Sequence, residues 1–235
     1  MGGSTGVAVT HALDNVVWHA LTGPNRSLGE VRGHAARLHP DVGPFAAVCD
    51  EACEQGWADL AALAGPGRGT TLFRPALDLP DGWTLQVKMP CLQMVAENGV
   101  GAPDDRFEVL GPQDVPEMLA LVAETQPGPF MTRTIELGTY LGYRVDGELV
   151  AMAGERIRCD GATEISAVCT KESHRGQGLG GALTLAVAHV IQSRGDRAFL
   201  HVMTTNTSAI SVYERTGFTV RMESDAVILR TPGAA

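Results

Sequence analysis

Between Thr163 and Thr170 apolar and β-branched side chains alternate at close to a period of two. Beyond a run of glycines the apolar positions switch to helical spacing. This change of period predicts a strand over Thr163–Thr170, a turn over His174–Gly181, a long helix, a strand over Phe199–Met203 and a short helix carrying Tyr213. Upstream, the pattern predicts a strand over Arg106–Leu110 and a helix over Gln113–Thr125, with Asp114 as cap and Pro116 in the first turn. Gln126–Phe130 (QPGPF) ends that helix. A second short helix is expected over Thr132–Leu137, then a hairpin of Tyr140–Val145 and Leu149–Arg156 around the turn dipeptide Asp146-Gly147.

The first hundred residues carry weaker patterns. A helix is predicted over Leu13–Leu21 with Asp14 as its cap, a loop over Thr22–Gly33, strands over His34–Leu38 and Phe45–Val48, and a helix over Cys53–Ala64. Strands over Thr70–Arg74 and Trp83–Met89 follow, turned by Pro80-Asp81-Gly82. The polar, glycine-containing stretch Glu97–Asp105 then reads as a linker, dividing a smaller N-terminal α/β domain (1–100) from a second domain (104–235).

Composition narrows the function classes. At 235 residues, 44% hydrophobic and 19% charged, the chain has the make-up of a globular protein. A net charge of −9 argues against nucleic acid or an anionic membrane surface as the main partner and modestly favours a cationic substrate. No stretch approaches the roughly 18 continuous apolar residues of a membrane span, and Met1–Asn15 lacks the layout of a secretory signal. Five cysteines, at 49, 53, 91, 159 and 169, contain no Cys-x-x-Cys pair, which points to reduced thiols and a cytoplasmic setting. The seven histidines show no metal-ligand spacing, so no structural metal is predicted. A homodimer is compatible with the sequence but not derivable from it.

The chemistry concentrates at Arg175-Gly176-Gln177-Gly178-Leu179-Gly180-Gly181. A helix start offers backbone N–H groups without intrahelical partners and a partial positive charge, and glycines let an anion approach them. Arg175 adds a fixed charge, so a pyrophosphate is the natural occupant. A P-loop would place Lys-Ser/Thr after the glycines, where Gly181 and Ala182 stand. A dinucleotide-binding turn would want an acidic residue at the end of the next strand, where Thr204, Thr205 and Asn206 stand.

Arg175-x-x-Gly178-x-Gly180 resembles the (Gln/Arg)-x-x-Gly-x-(Gly/Ala) turn of the GNAT superfamily of acyl-CoA-dependent N-acetyltransferases. Downstream, Asn206, Ala209, Tyr213, Gly217 and Phe218 reproduce that family's Asn…Ala…Tyr…Gly-Phe block. The resemblance covers about the last 130 residues. It implies an α/β (α+β) fold with a mixed, mostly antiparallel twisted sheet flanked by helices. The activity implied is transfer of an acetyl group from acetyl-CoA to a primary amine by direct attack in a ternary complex. Three roles remain open: such an enzyme acting on a small-molecule or peptide amine, a non-catalytic acyl-CoA sensor, or a tandem synthase acylating a larger amine across both halves.

The resemblance also assigns residues. Tyr213 would approach the CoA sulfur as general acid, with a place in the apolar core as the alternative. Glu164 would be the general base, with Glu155 and Glu136 as rivals. Val168, Cys169 and Thr170 would border the pantetheine arm, residues 175–181 would hold the pyrophosphate, and Asn206 would bond the arm or cap its helix. Cys169 is not expected to be a nucleophile, and His201 is read as a cleft-lining or core histidine. The N-terminal half, either a degenerate copy without a cofactor turn or an unrelated extension, would shape the substrate entrance.

Overall fold

The computed structural model describes residues 11–51, 53–74, 78–97 and 99–233. Among these residues eleven strands run in chain order: β1 (Gly29–Arg32), β2 (Ala35–Leu38), β3 (Ala46–Val48), β4 (Gly69–Arg74), β5 (Thr84–Ala96), β6 (Glu108–Leu110), β7 (Tyr140–Val145), β8 (Glu148–Cys159), β9 (Ala162–Thr170), β10 (Arg197–Met203) and β11 (Phe218–Arg230). The helices are α1 (Val16–Thr22), α2 (Glu54–Ala64), α3 (Val115–Thr125), α4 (Leu179–Ser193) and α5 (Thr207–Arg215). Short 3-10 turns at Ala12–Asn15 and Thr134–Leu137 replace the start of the first predicted helix and the whole of the predicted second short helix. Asn15, not Asp14, precedes α1, and Asp14 instead pairs with Arg221.

Strands β1–β3 form a small antiparallel sheet. The other eight form one sheet in the order β4-β11-β5-β10-β9-β8-β7-β6, antiparallel throughout except for β9 and β10. The predicted linker falls between β5 and β6, yet the chain before and after it belongs to this one sheet. β5 lies between β10 and β11, and β4 forms the edge beside β11. β5 runs to Ala96, seven residues beyond its predicted end, because Cys91–Ala96 face β10 and β11 on its two sides. The final strand β11 carried no sequence expectation. Its pattern is broken by Glu223 and Asp225, which neighbouring strands tolerate and single-segment periodicity does not.

Alternation along the strands divides the core. On one face α4 and α5 cover the sheet, with Leu183, Ala186, Val187 and Ile191 packed against Met94, Ile165, Leu200 and Val202. On the other, Leu13, Val17, Leu21, Leu38 and Phe45 from the N-terminal half pack on Phe73, Ile157, Cys159 and Phe199. α3 covers Met152 and Cys169 through Met118 and Leu121.

Two irregularities position the site. β9 and β10 pair only over Arg197↔Ala162, Ala198↔Thr163 and Phe199↔Glu164; beyond that, β9 stays with β8 and β10 with β5, so the two part. In the same stretch Met152 faces Cys169 while Gly154 faces Ser166, which leaves Ala167 and Val168 opposite the single residue Ala153. This β-bulge holds Ala167 at φ 53°, a left-handed conformation that costs an L-residue roughly 1–2 kcal/mol. Ala167→Val should therefore lower stability by about 1–3 kcal/mol in urea unfolding, from strain and from overpacking beside Met152, whereas Ala167→Gly should cost nothing measurable.

Candidate active site

At the wide end of the parting strands, β9 delivers the chain through the 3-10 turn Glu172–His174 to the glycine turn and α4. Gly176 and Gly178 adopt φ of 79° and 77°, and a Cβ on either would meet nothing within 4 Å, so both stand at an open surface. The first α4 bond runs from the Ala182 N–H to the Gly178 carbonyl (3.0 Å), which leaves the N–H groups of Leu179, Gly180 and Gly181 without intrahelical partners. Among the described residues no side chain caps them. Arg175 is exposed beside this cradle and its Nε donates to the Thr170 carbonyl at the end of β9 (3.3 Å). Gln177 is exposed as well. Gly181 serves packing, since a Cβ there would lie 3.3 Å from Val212 on α5.

The opposite lip is built by α5. Asn206 accepts the Ala209 N–H through Oδ1 (3.1 Å), capping the helix as the residue type predicts. Tyr213 is almost wholly buried among Leu179, Leu183 and Phe218, its ring 6.0 Å from that of Phe218. Burial raises its phenol to about 12, so it keeps its proton through neutral pH and remains a hydrogen-bond donor. Val168 points toward α4, with Cγ1 3.7 Å from where a Gly180 Cβ would stand, whereas Cys169 points to the opposite core. Burial lifts the Cys169 thiol to about 11, consistent with a packing role. Thr170 is half-buried and faces Ala151 of β8.

The structure places Glu164 differently from a free base. Its side chain has no solvent exposure and receives Arg156 Nε at 2.8 Å and Nη2 at 2.5 Å, together with His201 Nδ1 at 2.6 Å. Burial alone would raise the carboxyl, but the Arg156 charge and these hydrogen bonds outweigh it and hold it at about 2. A carboxylate so stabilised accepts a proton poorly. The rival carboxylates are also engaged: buried Glu155 with Arg194 Nη1 (2.7 Å), and exposed Glu136 with Arg133 Nε (2.7 Å). Each stands in an ion pair that sequence spacing does not reveal.

Glu164 belongs to a polar line crossing five adjacent strands beneath the fork. With Glu164 ionised, His201 donates from Nδ1, so its Nε2 accepts from Gln93 Nε2 (3.2 Å). That amide also donates to the Leu13 carbonyl (2.7 Å), and its Oε1 accepts Arg221 Nη1 (2.7 Å). Arg221 in turn pairs with Asp14. A bulge in β11 between Val220 and Met222 frees Arg221 for this contact, and one in β8 sets Arg156 and Ile157 against Glu164. Phe73 stacks on the His201 ring (4.4 Å between centroids, 11°), and the Arg156 guanidinium lies 4.7 Å from the centre of Phe45. Sequence reasoning missed Gln93, Arg156, Arg221 and the Ala167 bulge. Arg156 had one legible signal, the charged pair Glu155-Arg156 directly after the apolar run 149–154.

The family model described as FR47-like protein matches residues 140–227. A solved structure described as belonging to the GNAT family, from Novosphingobium aromaticivorans, is 39% identical and superposes with a TM-score of 0.87 over 94% of this chain and 99% of that one. A mycothiol acetyltransferase of Thermobispora bispora is 32% identical over 69% of this chain and 58% of its own length. A second, from Thermomonospora curvata, is 30% identical over 77% of this chain and 58% of its own length. The chain thus spans less than two thirds of the curated relatives it matches.

Removing one partner of a buried ion pair leaves the other uncompensated. Glu164→Gln should therefore destabilise the protein by roughly 3–5 kcal/mol in urea or thermal unfolding. The pH dependence has a defined sign. Because the folded carboxyl lies below its ordinary value of 4.5, the stabilisation is complete above that value and is lost as pH falls toward about 2. Glu164→Gln should remove this component of acid unfolding.

Proposed function

This chain belongs to the GNAT family of acetyltransferases, and on that premise we propose that it transfers the acetyl group of acetyl-CoA to the primary amine of a small molecule, by direct attack within a ternary complex. The observation that carries this reading is the parting of β9 from β10 with an uncapped helix start at its mouth. The N–H groups of Leu179, Gly180 and Gly181, with Arg175 beside them, have the chemistry to hold a pyrophosphate, and Gly176 and Gly178 leave room for one. The parted edges offer backbone donors and acceptors to the amide groups of a pantetheine arm, with Val168 and Thr170 on one side and Asn206 on the other. Bound there, acetyl-CoA would supply the activated thioester.

In this reading Tyr213 donates its phenolic hydrogen to the sulfur as the thiolate departs, which its protonated state at neutral pH permits. Glu164, tied to Arg156 and His201, acts as a positioning residue. It fixes the side chains that bridge β8, β9 and β10 where backbone pairing ends. With the three candidate carboxylates in ion pairs, the amine gives up its proton to water. Two relatives carry mycothiol in their names, which supports a small-molecule acceptor over a peptide.

Isothermal calorimetry and a free-thiol assay over an amine panel test this. Gly178→Val should cost about 1–2 kcal/mol of stability through its left-handed backbone and weaken acetyl-CoA binding at least tenfold; unchanged affinity would overturn the cofactor assignment. Tyr213→Phe should lower kcat by about a hundredfold while leaving acetyl-CoA affinity within twofold. Binding without turnover across the panel would favour the acyl-CoA sensor.

A further inference from the structure

Away from the fork, the N-terminal half gathers three side chains that sequence spacing keeps apart. His34 immediately precedes β2 and Cys49 immediately follows β3. Because Ala35 faces Val48 across that ladder, His34 and Cys49 form the next pair, and the Cys49 N–H donates to the His34 carbonyl (2.8 Å). Cys53 stands four residues on, at the N-cap of α2. The helix is locked onto the pair from below. Asp59 accepts the His34 backbone N–H (2.9 Å), and Gly56 packs so closely that a Cβ there would lie 3.4 Å from the His34 carbonyl oxygen and 3.5 Å from Val48.

The result is an imidazole nitrogen and two sulfurs all within 4.8 Å of one another, and among the described residues this is the one such cluster of three His, Cys, Asp or Glu side chains. Ligand atoms around a tetrahedral zinc ion, bound at about 2.0–2.3 Å, stand roughly 3.3–3.8 Å apart. Small side-chain rotations close that difference.

We infer that His34, Cys49 and Cys53 form a binding site for a thiophilic divalent cation of the zinc class, with the fourth position open to water or another ligand. Two thiolates and a neutral imidazole exclude magnesium and calcium, which select oxygen donors. Asp50, next to Cys49, is already committed: it accepts Asn15 Nδ2 at 2.9 Å and lies 3.0 Å from His19 Nε2. The ion would clamp the end of the β2–β3 ladder to the start of α2. The expectation of no structural metal rested on the lack of a Cys-x-x-Cys pair and of metal-ligand spacing among the histidines. Cys49-x-x-x-Cys53 lies within the wider range that zinc sites use, and His34 reaches it only through the ladder.

The full chain, reduced with a phosphine, can be titrated with zinc against a chromophoric chelator and with cobalt(II) by absorption. The expected result is one metal per chain, thiolate-to-cobalt charge transfer with tetrahedral ligand-field bands, proton release on binding and a rise in melting temperature. Cys53→Ser, at an exposed position, should leave the metal-free melting temperature unchanged and weaken binding at least tenfold, and His34→Ala should do the same to affinity. Absence of saturable uptake at micromolar zinc would overturn the site, as would uptake equal to the parent in Cys49→Ser/Cys53→Ser. Formation of a Cys49–Cys53 disulfide in air, with no zinc uptake under reductant, would reassign the pair to redox chemistry.

Discussion

Three residues of parallel pairing between β9 and β10, followed by separation, set the terms for the rest of the molecule. A sheet interior that stops pairing exposes backbone N–H and C=O groups, and such groups need partners. On the outer sides both strands are paired along the gap, β9 with β8 and β10 with β5, so the gap between them is held open from both flanks. The Ala167 bulge and the helix start at Leu179 lie along the same gap. The features proposed to hold an acyl-CoA are thus one continuous surface, created by strands that part.

Keeping that gap open requires the sheet beneath it to be stiff, and there the N-terminal half matters. β5 separates β10 from β11, and residues of α1, the small sheet and the Phe45 segment cover the face opposite α4. The same half supplies Gln93 and Asp14 to the polar line and Phe45 and Phe73 to the faces of Arg156 and His201. A buried charge pair is rarely stabilising in net terms against an apolar replacement. Its contribution here is geometric: Glu164 joins β8 to β10 by side chains at the level where backbone pairing between β9 and β10 ends. Thr134 Oγ1 donating to the Val42 carbonyl (2.8 Å) ties the segment after α3 to the N-terminal half in the same way.

Placing a carboxylate on β9 by sequence position and resemblance picked out a residue of the buried polar line but not the state of its charge. Glu164 does lie on β9 ahead of the glycine turn. Its basicity is decided by Arg156 and His201, on strands whose register depends on two bulges, and a bulge shifts which side chains face each other. Tyr213 illustrates the converse. Its place on α5 and its partly apolar setting follow from the spacing of Ile210, Tyr213 and Phe218, and burial then fixes its protonation.

The sequence by itself determined strands β6 to β10 and helices α3 to α5, the glycine turn at 176–181, the Asn206 cap and the family resemblance, because each is set by short-range periodicity or by backbone freedom that only certain residues have. Tertiary structure alone decided that β5 enters the sheet between β10 and β11, that β11 is a strand, that Glu164 is locked in an ion pair and that His34 meets Cys49 and Cys53. All four depend on pairing between segments far apart in the chain, and strand partners and charge environments are properties of the assembled sheet, which no local pattern encodes.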